Sequence, residues 1–150
     1  MNKYPIESLI AHTKPMILID GLTEFSENSA TCWVNINSES AFYDTDKNGV
    51  PCYVGIEYMA QSIAAFAGAK ALNQGEDIRV GFLLGSRKYK QQCHYFDNGS
   101  QLTIKLEELH IEDTGLGVYA CDILLEQTVI SSAQVNVFIP PNLDALIREK

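Results

Sequence analysis

The stretch from residue 53 to residue 73 constrains the fold more than any other part of the chain. Ile56, Met59, Ile63 and Phe66 recur at three- and four-residue steps, and Ala60, Ala64, Ala65, Ala67, Ala69 and Ala71 fill the intervening positions with the strongest helix former. Pro51 stands just ahead of the stretch and Asn73-Gln74-Gly75 follows it, an order of residues that starts and stops a helix. A helix of this composition has almost no polar face, so it must be covered on most sides. The rest of the chain therefore has to supply a wrapping.

On either side of the helix the apolar period changes to that of strands. In residues 30–37, Cys32, Val34 and Ile36 alternate with Thr31, Trp33 and Asn35, which gives a strand two unlike faces. After the helix, residues 78–90, 101–110, 117–125 and 128–139 read as four more strands. Asp97-Asn98-Gly99, Asp113-Thr114-Gly115 and Glu126-Gln127 mark the turns between them. Connections this short imply antiparallel neighbours. Near the N-terminus, residues 6–11 suggest a short helix, and Pro15-Met16-Ile17-Leu18-Ile19-Asp20-Gly21 reads as a buried strand closed by an Asp-Gly turn. Residues 39–52 are rich in Ser, Asp, Asn and Gly and predict a surface loop long enough to carry function. With no repeat or low-complexity run, the expectation is a single α+β domain over residues 1–150, an antiparallel sheet wrapped around one central helix.

Composition narrows the function. A chain of 150 residues with 46% hydrophobic content can bury one proper core. Its formal net charge of -8 opposes binding to nucleic acid, which requires a positive surface. Arg87, Lys88 and Lys90 form a local basic cluster, which is either the solvated face of a strand or a docking site. Cys32, Cys52, Cys93 and Cys121 contain no C-x-x-C pair and are expected to be reduced, mostly buried thiols. His12, His94 and His110 are not spaced as zinc ligands with them, so no metal is expected. No run approaches the roughly 18 apolar residues of a membrane span, and the N-terminus lacks a signal-peptide pattern. A cytoplasmic protein without a membrane partner is the expectation.

Two motifs carry a resemblance. His12-x-x-Pro15-Met16-Ile17-Leu18-Ile19-Asp20 resembles the N-terminal His-x-x-Pro-apolar-Asp segment of the β-hydroxyacyl-acyl carrier protein dehydratases. Glu57-Tyr58-Met59-Ala60-Gln61 resembles the Glu-x-Met-Ala-Gln helix start of the same family. The longer run Val50-Pro51-x-Tyr53-Val54-Gly55-Ile56-Glu57-Tyr58-Met59-Ala60-Gln61 is most similar to the ApeP-like subgroup, associated with aryl polyene synthesis. The resemblance implies a hotdog fold assembled at least as a dimer, either a homodimer or a heterodimer with another hotdog subunit. It also implies an acyl-phosphopantetheine, delivered by an acyl carrier protein, entering a tunnel at the subunit interface. The substrate would bring its own phosphopantetheine, so no further cofactor is expected. Because such carriers are acidic, Arg87, Lys88 and Lys90 gain a reading as docking cations.

The implied reaction is loss of water from a 3-hydroxyacyl thioester in fatty acid or polyene synthesis. It needs one group to take the proton beside the carbonyl and one to protonate the leaving hydroxyl. Glu57, in the first helical turn, also complements the helix N-terminus, a contribution of about 0.3 to 1 kcal/mol by itself. The resemblance assigns it an active-site role. Gly55, lacking Cβ, is expected to let a thioester approach the backbone, with N–H groups at the helix start receiving enolate charge. Gln61, four residues on, either orients a partner or satisfies buried backbone.

The family's catalytic histidine sits in a His-Phe-Pro loop, and counting back from Glu57 with Pro51 in register puts Tyr43 there. A tyrosine has a reference pKa near 10 against about 6.5 for histidine, so Tyr43 is a substrate contact and no equivalent base. His12 is the first candidate for the second group, with Asp44 and Asp46 behind it. Three functions remain open: a dehydratase using Glu57 with His12, a thioesterase in which Glu57 activates water, and a non-catalytic hotdog subunit that completes an active heterodimer.

Overall fold

A helix that is apolar nearly all round persists in water only when enclosed, and the computed structural model, which describes residues 4–10, 16–78 and 80–140, shows what encloses it. The helix, α1, spans Gly55–Asn73. Tyr58, Met59, Ile63, Phe66 and Ala69 are all buried along it. It stops where the sequence predicts. Gly75 takes a left-handed φ of 73°, and the Glu76 N–H turns back to the Ala71 carbonyl at 2.9 Å.

The wrapping consists of β1 (Gly21–Phe25), β2 (Ser29–Asn35), β4 (Phe82–Gln91), β6 (Gln101–Ile111), β7 (Leu116–Leu125) and β8 (Thr128–Phe138). They form one six-stranded sheet in the order β1-β2-β6-β7-β8-β4, antiparallel at every pairing. Alternation puts Cys32 and Val34, Leu102 and Ile104, Cys121 and Ile123, and Val135 and Val137 into the core beneath α1. Each large apolar side chain buried this way contributes roughly 1.5 to 3 kcal/mol. Phe66 meets Tyr119 of β7 edge to face, with ring centroids 6.4 Å apart. Between β7 and β8, Glu126 and Gln127 take φ of 50° and 72°, the mirror-image turn that suits the strands' twist. At the sheet's end, β4 has one edge without a neighbour among the described residues, and its residues are exposed except for the half-buried Gly85 and Tyr89.

Three expectations are corrected, and one pairing is added to them. The run 15–21 is no strand over its described part. The ladder starts only at Gly21, because Met16 to Asp20 crosses over α1, where the Gln61 side chain satisfies backbone that a neighbouring strand would otherwise pair. A second, two-stranded ribbon, β3 (Gly49–Pro51) with β5 (Tyr95–Asp97), was not foreseen, since three-residue strands are too short to show a period. The described N-terminal residues hold a 3-10 turn, Ile6–Ser8, in place of a regular helix. Finally, only Cys32 and Cys121 are free buried thiols, whereas Cys52 and Cys93 are joined in a disulfide. The β3–β5 pairing is what brings those two together, with the Cys52 N–H donating to the His94 carbonyl at 2.9 Å.

Gly68 shows how closely the N-terminal segment lies on the helix. A Cβ there would stand 2.1 Å from the Leu9 carbonyl oxygen. Alanine would favour the helix by about 1 kcal/mol, but relieving a backbone clash in a packed core costs typically 1 to 3 kcal/mol. Gly68→Ala is therefore expected to lower the denaturation midpoint, as measured by urea titration. Burial also pushes the thiols of Cys32 and Cys121 up from 9.0 to about 12. The folded state then holds protons that the unfolded chain releases, so stability is lost as pH rises from 9 towards 12. Melting curves across that range should show this fall, and Cys32→Ala should reduce its slope.

Candidate active site

Glu57 lies in the first turn of α1, on the one side of the helix that the sheet leaves open, and its side chain is exposed. Among the described residues no side chain pairs with its carboxylate. Two cavities meet at it. One, of about 540 Å³, is lined by Met16, Leu18, Phe42, Tyr53 and Ile56 together with Glu57 and Gln61. The other, of about 250 Å³, lies between Glu57, Ala60 and Ala64 of the helix and Phe82 and Leu83 of β4. A carboxylate at the junction of two mostly apolar hollows is an arrangement suited to an apolar ligand with one reactive polar end.

The helix start is fixed from beneath. The chain enters α1 through a 3-10 turn, Cys52–Val54, whose Cys52 carbonyl accepts from the Gly55 N–H and from the Tyr89 hydroxyl. Burial raises the Tyr89 pKa, which keeps that hydroxyl a donor. The Gly55 N–H is therefore already engaged. The space a Cβ would take at Gly55 is also filled, with the Tyr89 hydroxyl oxygen 2.6 Å and Ile123 Cδ1 2.9 Å away. Glycine is required there for helix-on-sheet packing, and the close approach to its backbone is made by the chain itself.

Gln61 is buried, and its side chain holds the Leu18 N–H at 2.7 Å and the Met16 carbonyl at 2.8 Å. It pins the crossing segment that forms one wall of the larger cavity. The loop residues divide differently from expectation. Tyr43 is half-buried against the core and does not line either cavity, while Phe42, one position earlier, does. Asp44 accepts the N–H groups of Asp46 and Lys47 at 2.9 and 3.2 Å, so it shapes a turn. His12 lies outside the described residues. His94 contributes its carbonyl to the Cys52 N–H, and His110 stands 3.6 Å from Glu112 at the surface. Arg87, Lys88 and Lys90 are exposed on β4, where a bulge between Arg87 and Lys90 gives Lys88 a φ of 58°.

The model of the ApeP-like family, described as ApeP dehydratase, matches residues 4–148. The chain belongs to the ApeP-like dehydratase family. The dehydratase heterocomplex ApeI:P from Xenorhabdus doucetiae includes a chain 28% identical to this one, superposing with a TM-score of 0.89 over 98% of this chain and 97% of that one. The 3-hydroxyacyl-[acyl-carrier-protein] dehydratase FabZ of Pseudothermotoga lettingae is 31% identical over 78 residues, 52% of this chain and 55% of FabZ. The chain thus matches about half the length of that curated relative. A hypothetical thioesterase from Streptococcus pneumoniae, solved with coenzyme A, shares the fold alone, at 13% identity and a TM-score of 0.58 over 79% of this chain and 86% of that one. The fold is the hotdog expected, an antiparallel sheet around a single long helix. Among the described residues of this family member, no helix is long and apolar enough to cross a membrane.

The sequence did not point to Phe42, Tyr53 or Met16 as cavity walls. All three are large apolar side chains left exposed, and the first two sit in or beside a loop with no period to read. The disulfide gives this site a measurable consequence. It closes a loop of 41 residues, which in the chain-entropy description is worth up to about 4 kcal/mol. Adding dithiothreitol is expected to lower the melting temperature of the oxidised protein, and Cys93→Ser to abolish the response.

Proposed function

We propose that the chain is a 3-hydroxyacyl-acyl carrier protein dehydratase that holds the acyl thioester in the hollow beside Glu57. The observation that carries this reading is the exposed Glu57 carboxylate, set in the first turn of α1 against a mostly apolar cavity of about 540 Å³. Membership of a dehydratase family supports it. In the reaction a base removes the proton from the carbon next to the thioester carbonyl. An acid then protonates the hydroxyl on the following carbon as it leaves as water. Glu57 serves as one of these groups. His12, carried over from the family resemblance, is proposed as the other.

β4 supports an assembly with a second subunit. Its edge, free among the described residues, and the exposed Phe82, Leu83 and Leu84 are a liability in an isolated protomer. A second hotdog subunit, the same chain or a different one, is proposed to pair along it and to close the smaller cavity beside Glu57. The ApeI:P structure, a heterocomplex, supports a different chain as that partner. An acidic carrier would dock at Arg87, Lys88 and Lys90, a local basic cluster on a chain of net charge -8.

Glu57→Gln keeps the size of the side chain and removes its acid–base capacity. Assayed by hydration and dehydration of a carrier-bound acyl chain, with the partner subunit present if the two purify together, it is expected to lose roughly 10² to 10⁴ in kcat. Full activity in both Glu57→Gln and His12→Ala would overturn the assignment. Release of free thiol from the acyl carrier, without dehydration, would indicate a thioesterase instead.

A further inference from the structure

Phe42 is held in a conformation that its own fold does not reward. Its φ of 66° lies in the left-handed region, which is unfavourable for a bulky residue with a Cβ. The residue keeps 63% of its surface exposed, so burial in the core does not offset the strain. The turn itself does not need the ring. A glycine would reverse the chain there with less strain and would still let Tyr43 pack inward. What the ring adds lies outside the core.

The ring lines the Glu57 cavity. Met16, Phe42 and Tyr53 are 61%, 63% and 68% exposed, and all three border that one hollow. Apart from Glu57, Gln61 and the Tyr53 hydroxyl, its lining is apolar. Gln61 is already bonded to the Met16 and Leu18 backbone, which leaves Glu57 as the charged group and the remaining wall for a hydrocarbon.

We propose that Phe42 is a specificity-determining residue, its ring forming the wall against which the acyl chain of the thioester lies, so that chains long enough to reach it are preferred. This rests on the dehydratase reading for the reaction but not for the binding. An acyl group too short to span the hollow from Glu57 to the ring would leave it uncovered, while one long enough would bury it and gain apolar contact.

The test compares wild type with Phe42→Ala, Phe42→Gly and Phe42→Leu, each together with any hotdog subunit that accompanies the chain. Two quantities are measured for four-carbon and eight-carbon 3-hydroxyacyl chains: kcat/KM on a carrier, and affinity for the unreactive acyl-pantetheine amides. The eight- to four-carbon ratio is expected to fall about tenfold in both quantities for Phe42→Ala, as loss of part of an aromatic contact implies. KM should carry the change, and Phe42→Leu should restore most of it. Phe42→Gly should lose the same discrimination while melting no lower than wild type, because it relieves the strained backbone.

Equal losses for both chain lengths, or an unchanged ratio, would overturn the proposal. So would a lower melting temperature in Phe42→Gly with discrimination intact, which would make the ring structural. If wild type binds the amides with this discrimination but dehydrates neither substrate, the dehydratase reading fails and the role of Phe42 stands.

Discussion

Burial of α1 is the interaction on which the rest depends. The helix carries Tyr58, Met59, Ile63 and Phe66 on faces that no aqueous surface tolerates, and the six strands close around them with an alternating apolar face. Because the helix is nearly featureless in polarity, its rotation cannot be set by an apolar stripe. It is set by close contacts: Gly68 under the Leu9 carbonyl, Gly55 on the Tyr89 hydroxyl and Ile123, and the Tyr58 ring 5.8 Å from Phe96. Those contacts leave the Glu57, Ala60 and Ala64 side on the smaller cavity, opposite Phe82 and Leu83 of β4. The position of the carboxylate is thus a result of packing elsewhere on the helix.

The polar groups around the helix start divide between scaffold and site. Cys52, Tyr89 and the Gly55 N–H satisfy one another beneath the first turn, and Gln61 satisfies the Met16 and Leu18 backbone above it. Each such bond contributes only about 0.5 to 1.5 kcal/mol net, but a buried group left without its partner costs about 1 to 3 kcal/mol. They therefore restrict the arrangement more than they stabilise it. Glu57 stands outside this network, with no side-chain partner for its carboxylate among the described residues. The disulfide between Cys52 and Cys93 fixes the same turn to the segment that follows β4, the strand proposed to meet a second subunit.

The elements with a long period were legible in the sequence. The helix at residues 53–73, the alternation in 30–37 and the strands after residue 100 all agree with the structure to within a few residues. The short ribbon of β3 and β5 was not, and neither was the path of residues 16–20, whose apolar composition suits a strand as well as a segment laid over a helix. At the site, Glu57 was legible because its motif is local. Tyr43 was assigned by counting in register, whereas the ring that lines the larger cavity is that of Phe42, one position earlier, at a left-handed φ. Register counting cannot detect such an offset.

By itself, the sequence determined the central helix, the antiparallel wrapping, the carboxylate at the first helical turn and the family, because each is written in periodicity or in a contiguous motif. Only the tertiary structure decided that Gly55 serves packing, that Gln61 clamps a crossing segment, that Cys52 meets Cys93, and that Phe42 lines the hollow beside Glu57. Those four facts join residues far apart in the chain or depend on one backbone angle, and no spacing rule encodes either. The helix at residues 53–73 was predictable because it has to be buried, whereas what each residue along it touches followed from the strands that closed around it.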